Sequence, residues 1–208
     1  MHAAATADNF DAMAALSALP YFNEVINDGD NEPGWTPLLC ASVNSHKNDL
    51  RMIKLLVEGG ANLLKAKRDG LTAVHFAASN NDLHFLDYIL TSVENASKVA
   101  NVTNVDGWTP AHYAGFLGNF DAINLLLEHG ADLKLPNSNQ LTPFEEMIRN
   151  DHAELFECVW PLAKQVKRDL KKEGSFSFVH LAASSKSTKT LLFLLNQCKE
   201  SPNQICNY

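Results

Sequence analysis

The sequence predicts an all-α solenoid, a stack of helix-turn-helix units joined by hairpin loops. Three observations point there: a short string that recurs along the chain, hydroxyl and proline residues placed to start helices, and second helices that are apolar on most sides. The string reads Gly34-Trp35-Thr36-Pro37-Leu38-Leu39, then Gly70-Leu71-Thr72-Ala73-Val74-His75. It returns as Gly107-Trp108-Thr109-Pro110-Ala111-His112 and Gln140-Leu141-Thr142-Pro143-Phe144-Glu145, with a weaker copy at Ser175-Phe176-Ser177-Phe178-Val179-His180. Its Thr or Ser positions, 36, 72, 109, 142 and 177, lie 36, 37, 33 and 35 residues apart. A fixed period of this length is the mark of stacked repeats.

Each element has a physical reason. Thr36, Thr72, Thr109 and Thr142 are natural N-caps, because a hydroxyl accepts from the free N–H groups of the first turn. Pro37, Pro110 and Pro143 follow at the first helical position, where a missing N–H is harmless. Ala41, Ala77-Ala78, Ala114-Gly115 and Ala182-Ala183 are small where neighbouring helices must approach. The second helices carry Leu50/Ile53/Leu55/Leu56, Leu83/Leu86/Ile89/Leu90, Ile123/Leu125/Leu126/Leu127 and Leu191/Leu192/Leu194/Leu195. Helices apolar nearly all round are expected to lie between neighbours.

Irregularities carry expectations too. The first unit runs 24 residues from Thr36 to Gly60, against 21 from Thr109 to Gly130, which predicts a longer turn within Val43 to Asp49. Four extra residues around Val93 to Lys98 predict a longer helix or loop in the second unit. Pro161 is predicted to stop the fourth unit's second helix near Val159, since an interior proline costs about 3 kcal/mol. A further helical piece would then run from Pro161 through Lys172.

Two copies continue into Gly60-Ala61-Asn62 and Gly130-Ala131-Asp132. Together with the strings above, they resemble the ankyrin repeat, a 33-residue unit that carries T-P-L-H-x-A after a glycine and ends in G-A-D. The third copy matches best, from Asp106-Gly107-Trp108-Thr109-Pro110-Ala111-His112-Tyr113-Ala114 to Leu125-Leu126-Leu127-Glu128-His129-Gly130-Ala131-Asp132. The resemblance implies one ankyrin-repeat domain over 1–208. Within it, a degenerate half-repeat or cap occupies 1–31, and repeats occupy 32–67, 68–104, 105–137 and 138–172. A fifth, with the C-terminal end, occupies 173–208.

Composition narrows the function classes. A chain of 208 residues that is 46% hydrophobic and 20% charged has the makings of a packed core. No apolar run reaches the ~18 residues of a membrane span. Met1 to Pro20 holds no Lys or Arg, unlike a secretory signal. The net charge of −7 opposes general nucleic-acid binding. Cys40, Cys158, Cys198 and Cys206 form no C-x-x-C pair, which suits a reducing compartment. The cytoplasm is the expected setting, with the nucleus open.

No nucleophile elbow, P-loop, G-x-G-x-x-G, H-E-x-x-H or calcium-loop pattern occurs. The expectation is therefore no catalytic residue, no metal and no cofactor. His75, His112 and His180 recur at one repeat position, but stacked units would hold them roughly 10 Å apart, too far to share a metal. The resemblance implies instead that they hydrogen-bond within and between units.

Two features rise above scaffold. Trp35, Leu71, Trp108, Leu141 and Phe176 precede the capping Thr or Ser, and Cys40, Phe76, Tyr113, Glu146 and Leu181 form a parallel row five positions on. The resemblance places both rows on the concave side, where ankyrin domains grip partners. Adding Phe116 and Leu117, the candidate anchors are Trp35, Phe76, Trp108, Tyr113 and Phe116, with Lys65, Lys67 and Arg68 giving charge selectivity. These rings read two ways, as packing of unit on unit or as contacts for a partner. The second feature is charge segregation. Residues 1–46 hold six acids and no base, while Lys164, Lys167, Arg168, Lys171 and Lys172 share one helical face. That face is either a solvated surface or one that steers an acidic partner or serves nuclear import.

The expected function is non-catalytic: a monomeric scaffold that binds another protein on its concave face. The alternative is a regulatory or targeting segment of a larger enzyme, channel or signalling protein. A stand-alone enzyme is the remote third.

Overall fold

A computed structural model describes residues 1–29, 34–44, 49–169 and 178–200, with side chains defined except at 164–169 and 198–200. The helices, in chain order, are α1 (His2–Thr6), α2 (Phe10–Ser17), α3 (Phe22–Val25), α4 (Pro37–Val43), α5 (Arg51–Glu58), α6 (Ala73–Ser79) and α7 (Leu83–Thr91). They continue as α8 (Ala96–Ala100), α9 (Pro110–Leu117), α10 (Phe120–Glu128), α11 (Pro143–Arg149), α12 (Ala153–Asp169), α13 (Phe178–Ser184) and α14 (Thr188–Glu200). No strand occurs among the described residues. This is an all-α solenoid.

The capping threonines start the first helices as their chemistry allows. Thr36, Thr109 and Thr142 Oγ1 accept from the N–H groups of Leu39, His112 and Glu145 at 3.3, 3.3 and 3.4 Å. The helices α1, α4, α6, α9, α11 and α13 then pack each on the next, and α2, α5, α7, α10, α12 and α14 pair with them as a second layer. Alanines make the close approach possible: Ala77, Ala78 and Ala114 are fully buried. At Gly115 a methyl group would lie 3.0 Å from the Pro143 carbonyl oxygen, so the absence of a side chain lets α9 and α11 approach closely there.

Hairpins run along one edge and turns along the other, and both edges are stitched. On the hairpin edge Val105 N–H donates to Asp69 O, and Ser138 N–H to Asp106 O, each at 2.9 Å. On the turn edge a left-handed residue recurs: Asp8, Asn81, Gly118, Asp151 and Lys186 all have positive φ. The last carbonyls of a helix have no intrahelical partner, and here the next unit supplies one. Asn44 donates to Thr6 O, Asn80 to Ser42 O and Asn119 to Ala78 O, at 2.6, 3.1 and 2.9 Å. His152 donates to Phe116 O at 2.8 Å, and Ser187 to Arg149 O at 3.2 Å.

Four expectations meet a different structure. Residues 1–31, read as a half-repeat, hold a helix pair of their own, with α1 packed on α4 and α2 on α5, as in the repeats that follow. The second unit's extra residues neither lengthen α7 nor stay loop. They form α8, capped where Asn95 Oδ1 accepts from Lys98 N–H at 3.0 Å.

Pro161 does not stop the fourth unit's second helix; α12 runs through it from Ala153 to Asp169. Leu155, Phe156, Val159, Trp160 and Ala163 are all at most 5% exposed on its inner side. Pro161 and Glu157, whose carbonyl loses its N–H partner, are both exposed residues, which lowers the cost of that lost bond. Burial outweighs the lost bond. Finally, α14 is not covered on all sides, for Leu192 and Leu195 are 58% and 42% exposed. The long first turn is consistent with residues 44–50 separating α4 from α5, though 45–48 lie outside the described residues.

Candidate functional site

The first-helix layer has an unusual chemistry. Neither α1, α4, α6 nor α9 contains an Asp, Glu, Lys or Arg. Among the described residues, α11 departs from this pattern and brings Glu145, Glu146 and Arg149.

Onto that uncharged ground the rings fall in two clusters. Trp35 stacks on Phe76 with centroids 5.4 Å apart, so the first and second units share one aromatic pair. Trp108 meets Tyr113 at 5.0 Å and Phe116 at 5.7 Å within the third unit. His75 lies edge-on to Tyr113 at 5.8 Å. Trp35, Phe76, Trp108 and Tyr113 are half-buried, and Phe116 is 42% exposed. The rings thus pack on one another and still present edges to solvent.

The parallel row is less uniform than its spacing suggests. Cys40 is buried at 9% exposure and Glu146 at 4%, so neither belongs to an open face. Glu146 accepts from Asn137 Nδ2 at 3.3 Å, and burial raises its pKa. Tyr113 accepts from Asn104 Nδ2 at 3.2 Å, which leaves the phenol proton free for another acceptor. Burial, then the charges of Asp69 and Asp106, raise its pKa, so that proton is retained.

Of the three hairpin cations, Lys65 and Arg68 are exposed. Lys67 is committed elsewhere: its ammonium lies 5.0 Å over the Trp35 ring and pairs with Asp69. The cations of residues 164–172, and Phe176, lie outside the residues whose side chains are described.

His75 and His112 work as joints. Thr72 N–H donates to His75 Nδ1 at 3.2 Å, which fixes the proton on Nε2, and Nε2 donates to Trp108 O at 3.1 Å. His112 repeats this with Thr109 N–H at 3.0 Å and Leu141 O at 2.9 Å. Burial pulls the His75 pKa down to about 4 and lowers that of His112, partly offset by those carbonyls. His2 is a member that the sequence did not announce, with Nε2 at 2.8 Å from Trp35 O. No Thr-Pro string precedes it, so only its distance of 33 residues from Trp35, equal to that of His75 from Trp108, hinted at the role.

The recurring G-A-N and G-A-D strings are read by asparagines of the preceding unit. Asn27 bonds Gly60 O and Asn62 N–H at 2.8 and 2.7 Å, and Asn101 bonds Gly130 O and Asp132 N–H at 2.9 and 2.7 Å. Among the described residues no group of three or more His, Cys, Asp or Glu could hold a metal, and no helix is long and apolar enough to cross a membrane.

The family model for ankyrin repeats matches residues 45–137 in three copies. The B-cell lymphoma 3 protein homolog of Mus musculus is 32% identical over 133 residues, covering 64% of this chain and 29% of that protein. An ankyrin repeat protein of fowlpox virus (strain NVSL) is 33% identical over 131 residues, covering 60% and 35%. The NAD-dependent deacetylase sir2B of Dictyostelium discoideum is 33% identical over 131 residues, covering 59% and 16%. The chain spans about a third or less of the length of each.

Proposed function

We propose that this chain, which matches the family model for ankyrin repeats over residues 45–137, is a non-catalytic ankyrin-repeat scaffold whose first-helix face binds a segment of another protein. Ankyrin repeats generally mediate protein–protein interaction; which residues do so here is our reading. One observation carries it: two ring clusters on a helix layer that holds no charge from α1 to α9. Half-buried aromatic rings keep their positions on binding and lose little entropy, which is why they dominate interface energies. We assign Trp35, Phe76, Trp108, Tyr113 and Phe116 as anchors. Lys65 and Arg68 flank them as the exposed charges, with Lys67 holding the Trp35 ring in place.

The test is the double variant Trp108→Ala/Tyr113→Ala, used as bait beside the wild-type chain. Partners identified by mass spectrometry should be lost from the variant while its helical circular dichroism persists. Unchanged capture would sink the reading.

A second reading is favoured by the coverage of the relatives. The chain spans 16% of a deacetylase and 29% of the B-cell lymphoma 3 homolog, so such stacks occur as parts of longer proteins. We propose as the alternative that this stack targets or regulates further domains of a longer chain. An open reading frame or transcript that extends beyond these 208 residues would favour it.

A further inference from the structure

The hairpins supply their own standard of comparison. The residue just before the capping Thr is Trp35, Leu71, Trp108 and Leu141 in the first four units. Three before it stand Asp69, Asp106 and Asn139 in the second to fourth units, and five before it Lys67, Asn104 and Asn137. Two tryptophans thus share one repeat position, and two aspartates another.

The first tryptophan carries a cation. Lys67 Nζ lies 5.0 Å over the Trp35 ring and pairs with the Asp69 carboxylate, while Phe76 stacks on the same ring at 5.4 Å. Ring and acid both favour the ammonium between them, the ring through its quadrupole and the acid through its charge.

At the second tryptophan the rings and the acids are present and the cation is not. Trp108 has Tyr113 at 5.0 Å and Phe116 at 5.7 Å. Among the described residues no ammonium or guanidinium lies over these rings. The place that Lys67 takes in the unit after Trp35 is taken after Trp108 by Asn137, which is 2% exposed and donates to Glu146.

The charges that act on Tyr113 are those of Asp69, which has Lys67, and Asp106, and both raise its pKa. Asp106 is exposed and pairs with no cation among the described residues. Lys65 and Arg68 are not among the charges that reach Tyr113. Arg68 lies toward the first unit, where a methyl group on Gly34 would meet its backbone nitrogen at 3.5 Å. On the other side α11 adds Glu145 and Glu146 against Arg149.

Resting on the first-helix face as a partner surface, we propose that a lysine or arginine of the bound segment lies over the Trp108 and Tyr113 rings and faces Asp106. The partner supplies there the cation that Lys67 supplies at Trp35. Complementary charge at this point sets which segment is accepted more than how tightly.

A phage-displayed random peptide library, selected on the wild-type chain, supplies the probe. Enriched peptides are synthesised, each also with its lysine or arginine replaced by norleucine. They are titrated by fluorescence anisotropy against wild type, Trp108→Leu, Asp106→Asn and the Trp108→Ala/Tyr113→Ala variant. Both single variants keep the fold, because Leu71 and Leu141 already hold the place of Trp108, and Asn139 that of Asp106. The expected peptides carry a cation whose exchange for norleucine costs about tenfold in affinity; Trp108→Leu costs as much and Asp106→Asn about threefold. Peptides without a cation, failure to enrich any peptide, or unchanged affinity for either single variant overturns the proposal. If the double variant abolishes binding and the norleucine exchange costs nothing, the first-helix face stands and the cation site falls. If the double variant binds as wild type does, both the proposal and the reading it rests on are wrong.

Discussion

The third and fourth units begin alike and join their neighbours differently. In the third, His112 Nδ1 accepts from Thr109 N–H, and its Nε2 donates to Leu141 O of the next unit. In the fourth, Glu145 Oε2 accepts from Thr142 N–H at 2.7 Å, but an ionised carboxylate has no proton to pass on. The first unit has Leu39 there and does neither through its side chain. Closing a unit and coupling it to the next are thus separate jobs. Imidazole does both because its two nitrogens face opposite ways, one accepting and one donating.

The comparison is broken or sharpened by four measurements. His112→Glu, which copies the fourth unit into the third, keeps the cap but sets a buried carboxylate against the Leu141 carbonyl. We expect a loss of about 3–5 kcal/mol in chemical denaturation. A loss below about 1 kcal/mol would mean that the cross-unit bond hardly matters.

The second is pH dependence. Folding lowers the His75 pKa to about 4 from the usual 6.5, so the unfolded chain takes up the proton first as pH falls. Stability from this group is complete above about 6.5 and declines towards about 4, by about 3 kcal/mol. Denaturation midpoints on both sides of that window should diverge in wild type and converge in His75→Leu, which copies the first unit. Equal slopes in the two proteins would show that His75 is not the source.

Third comes the turn edge. At Gly118 a methyl group would meet the His152 ring at 2.5 Å with φ at +77. Gly118→Ala should cost about 1–3 kcal/mol and displace His152 from Phe116 O. An unchanged melting temperature would mean that this joint is slack. The smallest effect is at Glu146, whose raised pKa marks a carboxylate that burial disfavours. Glu146→Gln keeps an acceptor for Asn137 Nδ2 and should stabilise by less than about 1 kcal/mol at neutral pH, the gain fading as pH falls. A lower midpoint at neutral pH would show that the charge itself is needed.

What could be read from the sequence was what repeats. The capping threonines, the prolines at the first helical position and the alanine contacts are local and periodic, and the helices begin where they say. Pro161 was misread because a local rule was applied where five buried side chains decide. His2 was missed because it acts without its motif. Both errors are tertiary overrides of local signals. Among the candidate anchors, which spacing put in one groove, the rings form two clusters, Trp35 with Phe76 and Trp108 with Tyr113 and Phe116. Spacing did not distinguish half-buried Tyr113 from buried Glu146, since the two occupy one repeat position and spacing carries no burial. Lys67 looked like a free charge until its ammonium was found over Trp35.

Stitching on both margins has a mechanical consequence. Bonds between units run along the hairpins, as at Val105 and Ser138, and along the turns, as at Asn119, His152 and Ser187. A strip sewn on one side flexes about that seam as a book opens about its spine. With two seams roughly a helix length apart, any opening stretches one or the other, and twist is resisted by both. Units should yield first where the imidazole stitch is missing, at the joints that Leu39 and Glu145 lead into. A pulling experiment that separates the stack should find its first rupture there.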